Sequence, residues 1–329
     1  MIWDDAQSPV AVVAFGGNAL LPVEDHGTQE EQIARARLAA RWLVPIVEQG
    51  FRLVIVHGNG PQVGNILIQA EEASTKIPPQ SLDVAVAQTE GSIGLILQQA
   101  LRNRLEFADL PSKVATLLTE VAVDPRDRAF SEPTKPIGPF FTQYRAEALA
   151  RDFGWIMRED SGRGWRKVVA SPRPTEILNT DEIRSLLRTC QVVIAAGGGG
   201  VPVIRGRDRQ WRGVEAVIDK DLSSALLASS LQASLFIIIT AVEKVSIDFG
   251  KPSQRDLDYL SLDDARAYLK EGQFPPGSMG PKIGAAADFV EKSGGEVLIT
   301  NIDRLQDALA GRTGTRIGPQ PSRFSANAS

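Results

Sequence analysis

Cysteine and histidine are almost absent from this chain. Its 329 residues include one cysteine, Cys190, and two histidines, His26 and His57. A single cysteine rules out an intrachain disulfide and a thiolate metal cluster, and two histidines rule out a histidine-rich metal site. A Ser-His-Asp hydrolase is also disfavoured, because His57 lies in a glycine-rich segment and not beside a candidate nucleophile. We therefore expect no protein-held metal cluster.

Long apolar runs and a strong charge imbalance are missing as well. No hydrophobic stretch approaches the length that spans a bilayer, and the first residues do not resemble a secretion signal. The net charge of -4 offers no attraction to nucleic acid or to an anionic membrane, although it leaves room for a local phosphate site. These absences predict a cytoplasmic protein that binds neither nucleic acid nor membrane.

Short apolar strands alternate with helical patterns along most of the chain. This alternation predicts parallel βαβ units with helices on both faces of the sheet, an α/β fold. In such folds ligands bind beyond the carboxyl ends of the strands. The clearest predicted strands are 10–15, 53–56, 192–194, 235–240 and 297–299, and the clearest helices are 28–48, 62–72, 83–107, 222–231, 262–270 and 281–292.

The alternation breaks between residues 124 and 174, a segment that holds six prolines. A helix at 143–152 and a hairpin of 155–157 against 165–169 are predicted within it. The segment is too structured for a linker and too small for a full domain. We predict that residues 125–174 form a protruding subdomain, a lid. Its basic tip, Arg163, Arg166 and Lys167, suits either a solvated hairpin end or a cover over an anionic substrate.

Three of the predicted strands end in glycine-rich loops. Glycine lets backbone N–H groups converge on phosphate oxygens, because no Cβ stands in the way. One such loop also fits a plain tight turn, but three at strand ends favour phosphate binding. None has the spacing of a P-loop or of the G-x-G-x-x-G dinucleotide motif. The loops are Gly16-Gly17-Asn18, Gly58-Asn59-Gly60 and Gly197 to Gly200.

Three lysines stand out by their context. Lys220 begins a predicted helix, and Lys282 follows Pro281 at the start of another. A cation at a helix N-terminus opposes the macrodipole, so an anion is expected beside each of them. Lys135 lies in the lid between two prolines. Each lysine alone suits a solvated surface, but lysines together with glycine amides are sufficient for phosphoryl transfer.

These motifs, in this order, resemble the carbamate kinase branch of the amino acid kinase family. The likeness runs from about Val10 to Ile317, nearly the whole chain. The glycine loops and Ile218-Asp219-Lys220-Asp221 also fit sibling kinases, whereas Pro133-Thr134-Lys135-Pro136 and Gly162-Arg163-Gly164-Trp165-Arg166 are specific to this branch. The remaining segments are Gly16 to Leu20, His57 to Gly64, Gly197 to Pro202 and Gly277 to Lys282.

The resemblance implies a three-layer αβα sandwich with a mainly parallel central sheet and a small protruding lid. It implies one domain, 1–317, with a carbamate-side lobe of about 1–190 and a nucleotide-side lobe of about 191–317. Residues 318–329 are expected to be a disordered tail. The implied protein is a homodimer. The implied reaction is reversible phosphoryl transfer between ATP and carbamate with Mg²⁺, usually run from carbamoyl phosphate and ADP toward ATP.

The resemblance also assigns roles to residues. Lys220 and Lys282 would neutralise the transferred phosphoryl group, Asp221 would hold both lysines, and Lys135 would reach the carbamoyl end from the lid. Asn18 is the remaining catalytic candidate. The implied phosphate- or substrate-binding residues are Gly16, Gly17, Gly58, Asn59, Gly60, Gly198, Gly199 and Gly200. The implied nucleotide-binding residues are Thr240, Ala241, Val242, Lys244, Met279 and Gly280.

Two other functions stay open at this point. A sibling kinase could act on another acyl group or a nucleotide, and Ala241 and Glu243 depart from an aspartate-containing turn that siblings often have there. A non-catalytic sensor of nucleotide or carbamoyl phosphate is the third hypothesis. The lid with Lys135 argues against the sibling, and the presence of both lysines and Asp221 argues against the sensor.

Overall fold

A computed structural model of the chain describes residues 8–16, 27–160, 162–275 and 278–318. The predicted tail therefore lies outside the described residues, except for Gly318. The helices are α1 (Gln29–Glu48), α2 (Gly60–Glu72), α3 (Leu82–Phe107), α4 (Gln143–Phe153), α5 (Thr180–Leu187), α6 (Lys220–Ser230), α7 (Leu262–Lys270), α8 (Met279–Ser293) and α9 (Leu305–Leu309).

The strands follow the predicted alternation and add several short ones. They are β1 (Val10–Phe15), β2 (Arg52–His57), β3 (Val114–Thr116), β4 (Glu120–Val123), β5 (Lys135–Phe141), β6 (Met157–Glu159), β7 (Trp165–Val169), β8 (Pro174–Ile177), β9 (Val192–Ile194), β10 (Val201–Arg205), β11 (Trp211–Gly213), β12 (Leu235–Ile239), β13 (Val245–Ile247), β14 (Arg255–Leu257), β15 (Tyr259–Ser261), β16 (Glu296–Thr300) and β17 (Thr315–Gly318).

The central sheet has eight strands in the order β15-β17-β16-β12-β1-β2-β9-β3. Its neighbouring strands are parallel, except that β17 runs antiparallel to β16. In β1 the side chains of Ala11, Val13 and Phe15 pack with α1 and α3, while Val12 and Ala14 pack with α6 and α8. Both faces are therefore buried, as parallel sheets require. The predicted three-layer αβα fold is confirmed.

The proline-rich segment forms the predicted protruding subdomain. The strands β5, β7 and β6 make a three-stranded antiparallel sheet, with α4 between β5 and β6. The hairpin is shifted from its predicted position, because β6 starts at Met157 and not at Trp155. A separate four-stranded sheet has the order β11-β10-β4-β8, and its strands β4 and β8 flank the subdomain in the chain.

Two glycines allow the lid to pack closely against α2. A Cβ added to Gly64 would overlap the α-carbon of Gly138 in β5, so the two backbones touch where neither residue has a side chain. Gly138 also has a positive φ of 72°, a conformation that glycine adopts without strain. The contact fixes the lid beside the start of α2, the helix that follows the Gly58-Asn59-Gly60 loop.

None of the helices in the described part of the chain is long and apolar enough to cross a membrane.

Candidate active site

Five neighbouring strands of the central sheet end at one cleft of about 660 Å³. The residues that follow β16, β12, β1 and β2 line it, as does the glycine loop after β9, and the lid covers the opposite side. This position at the carboxyl ends of parallel strands is the one that the alternation of strands and helices predicts. The lining includes Gly16, Gly58, Asn59, Gly60, Lys135, Arg166, Gly198, Asp219, Lys220, Asp221, Thr240, Ala241, Lys282, Asn301 and Asp303.

One carboxylate holds two lysines at the centre of the cleft. The Nζ of Lys220 lies 2.5 Å from Oδ1 of Asp221, and the Nζ of Lys282 lies 2.6 Å from Oδ2 of the same side chain. Only 5% of the Asp221 side chain is exposed, and the two lysines are 14% and 17% exposed. Lys220 and Lys282 come from different helices, so Asp221 joins the starts of α6 and α8.

The charges at this centre are strongly coupled. Burial alone would raise the pKa of Asp221, but attraction and hydrogen bonding by Lys220 and Lys282 outweigh it and hold that pKa well below its usual range. Burial, together with repulsion by Lys220, lowers the pKa of Lys282 despite the attraction of Asp221. Two cations share one anion, and this leaves a net positive charge that an incoming phosphate can neutralise.

A second ion pair connects the lid to α6. The Nζ of Lys135 lies 2.6 Å from Oδ2 of Asp219, and both side chains are partly exposed to the cleft. The Oδ1 of Asp219 also accepts the N–H of Asp221 at 2.9 Å, so Asp219 is the N-cap of α6. Asp219 therefore links the lid to the helix that carries Lys220 and Asp221.

The tetraglycine loop folds tightly against buried side chains. Gly198, Gly199 and Gly200 all have positive φ values, as does the preceding Ala196 with φ 51°. The Oγ of Ser223 donates to the Gly199 carbonyl at 2.7 Å, and the N–H of Gly200 donates to the Gly197 carbonyl at 3.1 Å. A Cβ at Gly198 would overlap the side-chain amide of Asn59. At Gly197 to Gly200 no side chain larger than a hydrogen atom fits, which explains the run of four glycines.

The structure brings most of the sequence-predicted site residues together. Those that line the cleft are Gly16, Gly58, Asn59, Gly60, Lys135, Gly198, Lys220, Asp221, Thr240, Ala241 and Lys282. Gly199 and Gly200 lie in the same loop as Gly198 but face Ile218 and Val121. Gly17 and Asn18 lie outside the described residues.

Four predicted nucleotide-binding residues do not line the cleft. Val242 follows Ala241 by one position. The Nζ of Lys244 is paired with Oδ1 of Asp258 at 2.5 Å. Met279 and Gly280 form the first turn of α8, which begins two residues before the predicted start at Pro281. Lys282 is consequently the fourth helical residue and not the second, although it stays in the first turn.

Sequence reasoning did not select four charged or amide side chains of the cleft as site residues. Asp219 was within the recognised Ile-Asp-Lys-Asp motif, and its position before a helix start was a signal for an N-cap. Arg166 was identified only as part of a basic hairpin tip, but its Nε donates to the Gly138 carbonyl at 3.0 Å and its side chain lines the cleft. Asn301 and Asp303 follow β16 and had no local signal beyond the strand end.

Known proteins resemble this chain over nearly its full length. The sequence profile of the amino acid kinase family matches residues 9–301. The carbamate kinase of Pyrococcus furiosus is 44% identical over 94% of this chain and 98% of its own length. Carbamate kinase 1 of Enterococcus faecium is 46% identical over 89% of this chain and 94% of its own length.

Solved structures agree with the sequence comparison. The carbamate kinase from Giardia lamblia bound to citric acid has a TM-score of 0.89 and 39% identity, covering 95% of this chain and 99% of its own. The same enzyme bound to AMP-PNP has a TM-score of 0.87 and 40% identity, with the same coverage. The chain therefore belongs to the amino acid kinase family, as a phosphotransferase of the carbamate kinase group.

Proposed function

We propose that this enzyme transfers a phosphoryl group reversibly between ATP and carbamate, and that it runs toward ATP from carbamoyl phosphate and ADP. The observation that carries the proposal is Asp221 bound to Lys220 and Lys282 at the bottom of a glycine-lined cleft. The curated relatives that are named carbamate kinases support the choice of substrate.

The reaction needs positioning and charge neutralisation more than covalent help. An oxygen of carbamate attacks the γ-phosphorus of ATP, the bond from that phosphorus to the β–γ bridging oxygen breaks, and ADP leaves with the electron pair. Lys220 and Lys282 are placed to stabilise the negative charge that develops on the transferred group. Asp221 keeps both ammonium groups in position before the substrate arrives.

The two ends of the cleft suit two different ligands. Lys135 and Arg166 come from the lid and would bind the carbamoyl end, while the backbone at Asn59, Gly60 and Gly198 would donate amides to phosphate oxygens. Thr240, Ala241 and Asn301, which follow β12 and β16, would meet the nucleotide. Gly17, Asn18, Val242, Lys244, Met279 and Gly280 remain predicted contacts. A relative bound to AMP-PNP supports a nucleotide as one ligand.

Mg²⁺ is proposed to accompany the nucleotide. Mg²⁺ commonly keeps several waters and is held by substrate phosphates with one or two carboxylates. In the described part of the chain no group of three or more His, Cys, Asp or Glu side chains could hold a metal ion. The cleft does offer carboxylates, Asp219 and Asp303, so a phosphate-held ion fits its donors. Bound there, Mg²⁺ would neutralise phosphate charge.

A homodimer is the proposed assembly. Helix α3 exposes a stripe without charged side chains, formed by Val84, Gln88, Gly91, Ser92 and Leu95. Leu95 is 55% exposed, a large apolar side chain on the surface of a single chain. The neighbouring β3 is an edge strand of the central sheet. An uncharged face next to a sheet edge suits contact with a second copy.

Formation of ATP from ADP and carbamoyl phosphate with Mg²⁺ tests the proposed reaction. We expect turnover that needs both substrates and the metal, with acetyl phosphate as the comparison donor. A preference for acetyl phosphate or another donor would favour a sibling kinase. If folded protein binds ADP but makes no ATP, the proposed enzymatic activity is contradicted and the sensor hypothesis is favoured.

A further inference from the structure

Two segments of the chain leave the central sheet side by side. Strands β3 and β9 are parallel neighbours in the central sheet, and the strands that follow them, β4 and β10, are parallel neighbours in the four-stranded sheet. The first segment crosses between the sheets with residues 117–119, and the second crosses with residues 195–200. The second crossing is the longer one, and its extra length forms the tetraglycine loop.

One residue of the shorter crossing holds both ends of the loop. Thr119 is fully buried. Its Oγ1 accepts the N–H of Ala196 at 2.9 Å, and its carbonyl accepts the N–H of Val201 at 2.8 Å. Ala196 and Val201 are the two residues that flank the four glycines. The hydroxyl of Thr119 therefore continues the pairing of the two segments at a point where their backbones are no longer in register.

Further hydrogen bonds fix the orientation of Thr119. Its Oγ1 donates to the Leu117 carbonyl at 2.9 Å, and its N–H donates to Oε2 of the buried Glu90, in α3, at 2.8 Å. A hydroxyl has one hydrogen to donate, so the hydrogen that points at Leu117 leaves a lone pair of Oγ1 for the N–H of Ala196. Every polar group of Thr119 is thus engaged, and two of them are bonded to the ends of the loop.

The bond to Ala196 holds a backbone conformation that alanine rarely adopts. Ala196 has a φ of 51°, in the left-handed region, where the Cβ of an L-residue crowds the backbone. Its N–H is buried, so without Thr119 it would lack an acceptor as well. Released from the hydroxyl, Ala196 would relax toward a common conformation and would carry Gly197 and Gly198 with it.

The position of the loop matters to the cleft in two ways. Gly198 lines the cleft directly. Gly199 packs so closely against the Ile218 carbonyl that a Cβ there would come within 2.6 Å of it, and the Gly199 carbonyl accepts the Oγ of Ser223. Ile218 and Ser223 lie on either side of the start of α6, which carries the central carboxylate and one of its lysines. A shift of the loop would therefore disturb both the phosphate-facing backbone and the start of α6.

We propose that Thr119 is a positioning residue for phosphoryl transfer. Its hydroxyl and its carbonyl hold the two ends of the tetraglycine loop and so set the place of the Gly198 backbone relative to the transferred group. Thr119 is buried behind the loop and acts only through it. The inference rests on the proposed phosphoryl transfer in this cleft, but it does not depend on carbamate as the acceptor.

Amide hydrogen exchange tests the contact itself and needs no turnover. Thr119→Val keeps the shape of the side chain and removes the hydroxyl, so we expect faster exchange at the Ala196 N–H. The Val201 N–H should change much less, because its acceptor is the backbone carbonyl. Thr116→Val is the matched control: it removes a hydroxyl that donates to Gln98 at 2.9 Å and should leave both amides as they are. Unaltered exchange at Ala196 in Thr119→Val would overturn the proposed contact, whatever reaction the enzyme catalyses.

Kinetics with the phosphoryl donor that the unaltered enzyme uses best test the positioning role. We expect kcat of Thr119→Val to fall about tenfold to a hundredfold, as for a catalytic geometry displaced by about 1 Å, while both KM values change less than about threefold. Thr119→Ser keeps the hydroxyl and should restore kcat, and Thr116→Val should not reduce it. An unchanged kcat in folded Thr119→Val, a loss confined to KM, or an equal loss in Thr116→Val would contradict the role. If Thr119→Val does not fold, a loss of about tenfold or more in Thr119→Ser would contradict it instead.

Discussion

At the scale of single residues, Asp221 is the side chain on which the charge balance of the cleft depends. It is ionised, buried and bound by two ammonium groups from two helices. A buried carboxylate of this kind is stable only because both partners are present, since removing one leaves an imperfectly compensated charge. The same arrangement fixes two positive groups where phosphate is expected, before any ligand binds.

Removing either lysine should therefore reduce turnover strongly. We expect Lys220→Ala or Lys282→Ala to lower kcat by roughly two to three orders of magnitude, comparable to the loss of one preorganised charge-stabilising donor. Lys292→Ala, an exposed lysine at the end of α8, is the control and should leave kcat unchanged. Steady-state ATP formation measures all three, and a loss below about tenfold in the first two would contradict their catalytic role.

Substitution of Asp221 should move the alkaline limit of activity. The attraction of Asp221 supports the protonated form of Lys282, whose pKa is already lowered by burial and by Lys220. In Asp221→Asn that support is lost, so Lys282 should lose its proton at a lower pH. The alkaline limb of the kcat profile should consequently shift to lower pH. An unchanged limb, at any reduced kcat, would show that Lys282 is not the group that limits activity.

The raised pKa of Glu90 should be visible in the pH dependence of the stability of the protein. The pKa of Glu90 is raised in the folded state, so its contribution to stability is present below its ordinary value of 4.5 and is lost as pH rises toward the folded pKa. Over that range the free energy of unfolding of the unaltered protein should fall relative to Glu90→Gln by up to about 1.4 kcal/mol per pH unit. Urea unfolding of both proteins from pH 5 to pH 8 measures the difference; a constant difference would mean that Glu90 is ionised.

At the scale of elements, the lid depends on how closely β5 approaches α2. The backbones of Gly64 and Gly138 touch, and the lid in turn presents Lys135 and Arg166 to the cleft. The Lys135–Asp219 pair then joins the lid to the N-terminus of α6. A displaced lid would therefore move two cations away from the site together.

Gly64→Ala should displace the lid without removing any catalytic group. The new Cβ would overlap the α-carbon of Gly138, and neither backbone can yield as a flexible side chain could. We expect faster amide hydrogen exchange in β5 and β7 and a raised KM for carbamoyl phosphate, with a smaller change in KM for ADP. Gly284→Ala is a suitable control, because it lies within α8 with open space around its α-carbon. Equal changes in both KM values would argue against a lid that serves the carbamoyl end.

The sequence was sufficient to predict the helices, the main strands and the glycine loops at the strand ends. It was not sufficient to predict the contacts between segments that are distant in the chain. Alternating apolar strands and helices predicted the central sheet, and glycines after β1, β2 and β9 predicted where its ligands bind. The partner of Lys135 could not be predicted, since Asp219 is 84 positions away and no local pattern joins them. The same holds for Gly64 and Gly138, whose backbones touch only once the lid has packed against α2.

The exact residue at which a helix starts was also not always predicted correctly. Pro281 predicted the start of α8 because proline favours the first turn, but the helix begins at Met279. The structure accommodates Pro281 as the third residue, where its missing N–H is still not needed within the helix. The prediction that Lys282 lies near a helix N-terminus is still correct, because the first turn includes both the second and the fourth helical residue.

At the scale of the whole molecule, the central sheet brings both halves of the sequence to one cleft. Strands β1 and β2 come from the first half of the chain and β9, β12 and β16 from the second, and they are neighbours in the sheet. Their carboxyl ends share one edge, so the glycine loops of the first half and the lysines of the second meet there. The opposite charges of Lys135 and Asp219 add a contact between the lid and α6.

We predict that the protein forms a dimer and that the uncharged stripe of α3 is its interface. Leu95 is 55% exposed, so its complete burial against a second copy would contribute about half the value for a fully exposed leucine, roughly 1–1.5 kcal/mol. Leu95→Glu would place a charge in that contact, so it should convert the dimer to a monomer in sedimentation velocity.

Phe249→Glu, an equally exposed apolar residue in the loop after β13, is the matched control and should remain a dimer. Lys220, Lys282 and Asp221, the residues assigned to phosphoryl transfer, are joined within one chain, so a monomeric Leu95→Glu protein should still form ATP. A monomer in the unaltered protein would contradict the dimer. A Leu95→Glu protein that stays dimeric would instead place the interface on another face, and loss of turnover on dissociation would mean that the partner copy stabilises the cleft.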